Sequence, residues 1–167
     1  MDSELIALSE SVGAAALAKS GQRRLLIATA ESCTGGWVAQ VITHTAGSSE
    51  WFERGFVTYS NQAKVDMLGV RQETLDRHGA VSPETAAEMA AGALKNSKAM
   101  ISLAITGIAG PTGGSPGKPV GTVCFAWCRV GETAVAETAV FAGDREAVRR
   151  QAVLHALRGL LVRLDAA

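Results

Sequence analysis

Leu25-Leu26-Ile27-Ala28-Thr29-Ala30, running into Glu31-Ser32-Cys33-Thr34-Gly35-Gly36, is the stretch that decides the fold. Six apolar or small residues without alternation suit a strand buried on both faces, the hallmark of a parallel sheet covered by helices. The next six residues are small, polar and flexible, as a tight turn requires. A helix is predicted over residues 36–44. Upstream, residues 4–18 carry Leu5, Leu8, Val12 and Ala15 at helical spacing, and Ser20-Gly21-Gln22 ends that segment. Downstream, a second strand is predicted over residues 52–60, then short helices over 61–68 and 71–78. Ser82-Pro83 opens a helix that runs to Lys98, since serine accepts from free amides and proline suits the first helical position. Its inward stripe is Ala86, Met89, Ala90, Ala93 and Leu94. Residues 100–106 read as another buried strand, and residues 107–121 as a Gly/Pro-rich loop. Residues 120–130 and 133–141 form a hairpin about Gly131-Glu132. Asp144 caps a final helix whose core stripe is Val153, Leu157, Leu160 and Leu164.

Alternating strands and helices imply a layered α/β domain, and the hairpin makes its sheet mixed. The 167 residues suit one domain, spanning 1–167. Sixteen basic residues balance sixteen acidic ones, which argues against bulk binding to nucleic acid or an anionic membrane. No apolar run approaches the ~20 residues of a membrane span. The start, Met1-Asp2-Ser3-Glu4, lacks the basic residues of a signal peptide, and the three cysteines show no zinc-ligand spacing. A cytoplasmic, reduced protein is expected.

Ligands of such folds lie beyond the carboxyl ends of the parallel strands. Residues 31–36 and 106–114 fall there, with Tyr59, Ser60 and Asn61 from the second strand and Lys64 one helical turn on. Ser32 sits where strand becomes helix, near free amides able to hold an oxyanion. It reads as a nucleophile or as a helix cap. His44, His78 and His155 lie in or near helices, so a Ser-His-Asp triad is not indicated. Lys64 could serve as the base if burial and a neighbouring arginine lowered its pKa by about three units from ~10.4, worth roughly 4 kcal/mol. Otherwise it is a solvated helix lysine. Residues 107–114 could bring backbone amides to a phosphate or simply turn the chain; they form neither a dinucleotide fingerprint nor a Walker loop. Arg145 could meet a phosphate or pair with Asp144 or Glu146, while Arg149 and Arg150 read as a solvated basic run. Cys33 is the rival nucleophile. Cys124 and Cys128 share a strand face as core thiols. Trp37, Trp51 and Trp127 read as packing residues, with Trp51 or Phe52 also able to wall a base-binding slot.

The string Thr29-Ala30-Glu31-Ser32-Cys33-Thr34-Gly35-Gly36 resembles the signature of the CinA carboxy-terminal family. Ala46-Gly47-Ser48-Ser49, Gly55-Phe56-Val57-Thr58-Tyr59-Ser60-Asn61-Gln62-Ala63-Lys64 and His78-Gly79-Ala80-Val81-Ser82 match as well. So do Thr106-Gly107-Ile108-Ala109-Gly110-Pro111, Lys118-Pro119-Val120-Gly121-Thr122-Val123 and Gly143-Asp144-Arg145. The resemblance covers residues 4–164 and lacks the amino-terminal domain of many members, implying the stand-alone form. It implies a three-layer α/β/α sandwich with a mixed, mostly parallel five-stranded sheet. It implies a cytoplasmic homodimer that hydrolyses the carboxamide of nicotinamide mononucleotide (NMN) to nicotinate mononucleotide and ammonia. No cofactor, metal, nucleic acid or membrane is implied. The family's Ser-Lys chemistry maps onto Ser32 and Lys64, with Tyr59 beside them. Substrate would meet Cys33, Thr34, Gly35, Asn61, Thr106, Gly107 and Arg145. A nucleotide-sensing module without turnover and an amidase built on Cys33 are the competing expectations.

Overall fold

A computed structural model describes residues 1–166. The opening apolar run forms β1 over Ile27–Glu31, later than expected by two residues at its start and one at its end. The other strands are β2 (Phe52–Val57), β3 (Ile101–Gly107), β4 (Thr122–Arg129) and β5 (Val135–Val140). They form one sheet in the order β2-β1-β3-β4-β5. β1 pairs in parallel with β2 and β3, and β4 is antiparallel to both β3 and β5. The hairpin thus supplies the reversed strand, as its sequence required.

The helices are α1 (Ser3–Lys19), α2 (Trp37–Ile42), α3 (Asn61–Leu68), α4 (Gln72–His78), α5 (Pro83–Lys95) and α6 (Arg145–Asp165). A 3₁₀ turn at Ser48–Glu50 was not foreseen. α1, α2 and α6 cover one sheet face, and α3, α4 and α5 the other. The strands sort their side chains by size between these faces. Ile27, Ile101, Leu103, Ile105, Val123, Phe125 and Trp127 point toward α1 and α6. Ala28, Ala30, Ala104, Ala126 and the thiols Cys124 and Cys128 point the other way. Small side chains there let α5 come close, and the Ser102 hydroxyl donates to the Ala90 carbonyl of α5 at 2.7 Å. α3 is held equally tightly: a Cβ on Gly92 of α5 would lie 1.9 Å from the Leu68 carbonyl oxygen, so only glycine fits.

Local chemistry sets the boundaries. Ser82 and Asp144 cap α5 and α6 by accepting from Thr85 N–H and Ala147 N–H. The second strand ends at Val57, not at residue 60, because the Ser60 hydroxyl turns to accept the Ala63 N–H and start α3. α2 is shorter than predicted. Gly36 has φ 103°, outside the helical region, and the Thr43 hydroxyl donates back to the Ala39 carbonyl at 2.7 Å. α5 ends at Lys95, before the expected Lys98, whose N–H goes instead to the Glu53 carboxylate.

Register fixes where the site falls. Glu31 lies opposite both Val57 and Ile105, so the three parallel strands end nearly level. Among the described residues no helix is long and apolar enough to cross a membrane.

Candidate active site

Ser32 and Cys33 leave β1 in opposite directions. Strand side chains alternate between faces. Ser32 follows Ala28 and Ala30 toward the α3 side, while Cys33 joins the apolar core beneath α1 and α6. The Ser32 N–H donates to the Ile105 carbonyl at 3.0 Å, which continues the β1–β3 ladder by one residue. Ser32 Oγ then lies 2.8 Å from Lys64 Nζ. Lys64 stands one turn into α3, and that helix starts immediately beyond β2. Its amine is also 2.8 Å from the Thr58 carbonyl and 3.3 Å from the Tyr59 carbonyl. The side chain passes almost wholly into the protein, and the residue is 1% exposed. Burial pulls the amine down from 10.5 to about 8. No arginine shares in that shift, contrary to the sequence expectation.

The three neighbours suit either protonation state. An ammonium offers three N–H donors for two carbonyls and one hydroxyl. A neutral amine offers two N–H groups for the carbonyls and one lone pair, which faces the serine hydroxyl. The proton can therefore move between oxygen and nitrogen without any heavy atom changing place.

The pair opens into a cleft of about 270 Å³ whose walls include Tyr59, Asn61, Thr106, Gly107 and Arg145. Tyr59 is exposed; its hydroxyl accepts from Arg145 Nη2 at 3.1 Å, and it is its carbonyl that faces the amine. The Thr106 hydroxyl is committed to the Ala80 carbonyl at 2.8 Å. Arg145 pairs with neither Asp144 nor Glu146; its Nη1 donates to the Gly110 carbonyl at 2.8 Å, so it braces the glycine loop. Cys33 borders the cleft, but burial pushes its thiol up to about 11. Thr34 and Gly35 do not line this cleft. They face a second one of about 680 Å³, with Trp37, Glu146 and Arg149, and Arg145 borders both. The Thr34 hydroxyl instead donates to Glu31 Oε1 at 2.7 Å. No histidine borders the Ser32 cleft. Trp51 packs against Gly13 and Phe52 packs against the same apolar core, so neither walls the Ser32 cleft; the Trp127 indole donates to the Ala156 carbonyl at 3.0 Å, as a packing residue.

The family profile described as the CinA C-terminal domain matches residues 8–164. The chain belongs to that family. The CinA domain is 58% identical over 159 residues to the Escherichia coli K12 protein named nicotinamide-nucleotide amidohydrolase PncC, covering 95% of this chain and 94% of that one. A Pseudomonas putida protein of the same name is 53% identical over 135 residues, covering 81% and 84%. Among solved structures, the competence/damage inducible protein CihA from Agrobacterium tumefaciens superposes with a TM-score of 0.90 at 41% identity, covering 99% of this chain and 98% of that one. A CinA superfamily protein from Klebsiella pneumoniae gives 0.91 at 40%, covering 98% and 99%.

Three groups of the CinA domain's site escaped sequence reading. The Thr58 carbonyl holds the amine, but backbone acceptors leave no trace in residue type. Glu31 is a carboxylate at the end of an otherwise uncharged strand, 1% exposed, and it binds the turn from beneath. Arg149 is no solvated cation: its Nε donates to the Cys33 carbonyl at 3.0 Å. Its spacing of one helical turn from Arg145 was the available signal. Arg150, by contrast, pairs with Asp2 and Glu4 at the surface.

Proposed function

We propose that the chain is an amidase that hydrolyses the carboxamide of NMN to nicotinate mononucleotide and ammonia, with Ser32 as nucleophile and Lys64 as its base. The observation that carries this reading is the 2.8 Å approach of a buried amine to the hydroxyl. The relatives' names supply the substrate class.

The chemistry follows from the protonation of Lys64. Lowering an amine from 10.5 to about 8 raises its neutral fraction at pH 7 by roughly 300-fold. Neutral Lys64 takes the proton as Ser32 Oγ attacks the carboxamide carbon. Free amides of the turn stabilise the resulting oxyanion. The lysine ammonium then passes its proton to the departing nitrogen, and ammonia leaves an acyl-serine. Water, deprotonated by the same amine, attacks that ester, and Ser32 recovers its proton. The cleft volume of about 270 Å³ is near the small end of ligand sites, ~300 Å³, and suits a single aromatic ring with its carboxamide. Arg145 at the rim, with the neighbouring glycine loop, is our candidate for the phosphate. Thr106 and Gly107 at the β3 end and Asn61 at the α3 start would border the ring and ribose. The same reading takes residues 1–167 as one domain, acting as a cytoplasmic homodimer without a cofactor in pyridine nucleotide recycling.

The test is ammonia release from NMN by wild type, Ser32→Ala, Lys64→Met and Cys33→Ala. Loss of nucleophile or base should lower kcat by at least about 10³-fold. Cys33→Ala should stay within about threefold of wild type, because a protonated thiol facing the core takes no part. NMN bound by wild type with no product would favour the nucleotide-sensing module. Severe loss in Cys33→Ala would move the nucleophile to sulfur.

A further inference from the structure

Arg149 plays no part in the Ser-Lys pair, yet it is tied to the turn that carries Ser32. Its Nε donates to the Cys33 carbonyl at 3.0 Å and its Nη2 to the Thr34 carbonyl at 3.3 Å. Its guanidinium lies over the Trp37 ring, 5.6 Å from the centroid. The turn is a wall between two clefts. Ser32 faces the catalytic one, and Arg149 reaches the wall from the other.

A planar trans peptide points its C=O and N–H in opposite directions. With the Cys33 carbonyl held on the Arg149 side, the Thr34 N–H must point toward the Ser32 side. Ser32, Gly35 and Trp37 donate to the carbonyls of Ile105, Ser32 and Thr34. Among the described residues the N–H groups of Cys33, Thr34 and Gly36 have no acceptor, and of these the Thr34 N–H is the one whose direction is set by the carbonyl that Arg149 holds. It is a fixed, free donor beside the nucleophile.

We propose that Arg149 is a positioning residue that clamps the nucleophile turn from behind and aims the Thr34 N–H at the oxyanion formed when Ser32 attacks. The proposal rests on the serine-amidase reading. Two donors in a rigid fork hold two successive carbonyls, which a lysine cannot reproduce. Each engaged carbonyl also polarises its own peptide and strengthens the N–H on the far side. Arg145, one turn earlier on α6, does the same for the glycine loop through Gly110. One helix thus sets both walls of the cleft.

The experiment compares wild type, Arg149→Met and Arg149→Lys by two readouts. The first is kcat and KM for NMN. The second is the rate at which a fluorophosphonate labels Ser32. There the serine oxygen forms a P–O bond, fluoride leaves with the electrons of the P–F bond, and Lys64 takes the serine proton. Charge builds on the phosphoryl oxygen in the same hole. Losing the aim of one oxyanion donor should lower kcat by about 10²-fold in Arg149→Met, and labelling in parallel. KM should stay within about twofold, and the pH midpoint of the rate should not move, since the amine is untouched. Arg149→Lys should fall between the two, and it serves alone if Arg149→Met does not fold. Unchanged kcat and labelling, or a raised KM at constant kcat, would overturn the assignment. If wild type is labelled at Ser32 but leaves NMN intact, the substrate reading fails, and the labelling rates still decide the role of Arg149. If wild type resists labelling altogether, the nucleophile and its clamp fall together.

Discussion

Among the described residues Lys64 has no carboxylate within hydrogen-bond reach, only carbonyl oxygens and one hydroxyl. An amine so placed gains little from being charged and loses its hydration, which is why its pKa falls. The rate should follow. If the neutral amine is the base, kcat/KM rises with pH through a midpoint of about 8 and levels above it. A pH–rate profile checks this, and a flat profile from pH 6 to 9 would remove Lys64 from the role. Ser32 was legible as a position at the strand-to-helix turn, where local sequence left nucleophile and helix cap both open; the resemblance to the family signature is what singled it out. Lys64 was legible only as a position. Its neighbours Gln62 and Asp66 are exposed and polar, and the burial that lowers its pKa comes from the end of β1, distant in the chain, closing over the stretch that links β2 to α3.

α2 shows how a short helix is held in place. It has six residues, and its capping position is Gly36, which has no side chain to offer. Glu31 does the capping instead. Its carboxylate accepts from Val38 N–H at 2.9 Å, Ala39 N–H at 3.0 Å and the Thr34 hydroxyl. Both oxygens are used, one of them twice. Glu31→Gln keeps the shape but turns one oxygen into a donor that faces an N–H. Denaturant unfolding should show a loss of about 1–3 kcal/mol, and kcat should drop because the same turn carries Ser32. An unchanged midpoint would mean that α2 is held by packing alone. The long helices α1, α5 and α6 were legible because apolar stripes and caps are local signals. The ends of α2 and β2 were not, since they depend on Glu31 reaching forward and on Ser60 choosing a cap over a ladder.

The whole molecule bears the burden of one dehydrated amine. The folded protein gives up the Lys64 proton at about 8 and the unfolded chain at its ordinary 10.5. Between those values the unfolded chain binds more protons, so stability rises with pH across the window, and below it the full cost of about 3 kcal/mol applies. Lys64→Met should therefore be more stable than wild type at pH 7, with the gap closing toward pH 10. Parallel denaturant titrations read the gap; one that stays constant with pH would place the effect in packing. At this scale the order of layers was legible, because alternating strands and helices leave few topologies. Which face each β1 residue takes was not legible, because a run buried on both sides shows no alternation; the structure sets it by spacing, with Ala28 and Ala30 on one face and Ile27 on the other.

That spacing has a consequence for how such a site could change its chemistry. Ser32 meets the lysine and Cys33 does not because their numbers differ by one along a ladder pinned to Ile105. A single residue deleted from β1 would reverse the assignment, turning the hydroxyl to the opposite face and presenting sulfur to the amine. Odd or even parity along one strand, rather than the intrinsic reactivity of either side chain, selects which of the two meets Lys64.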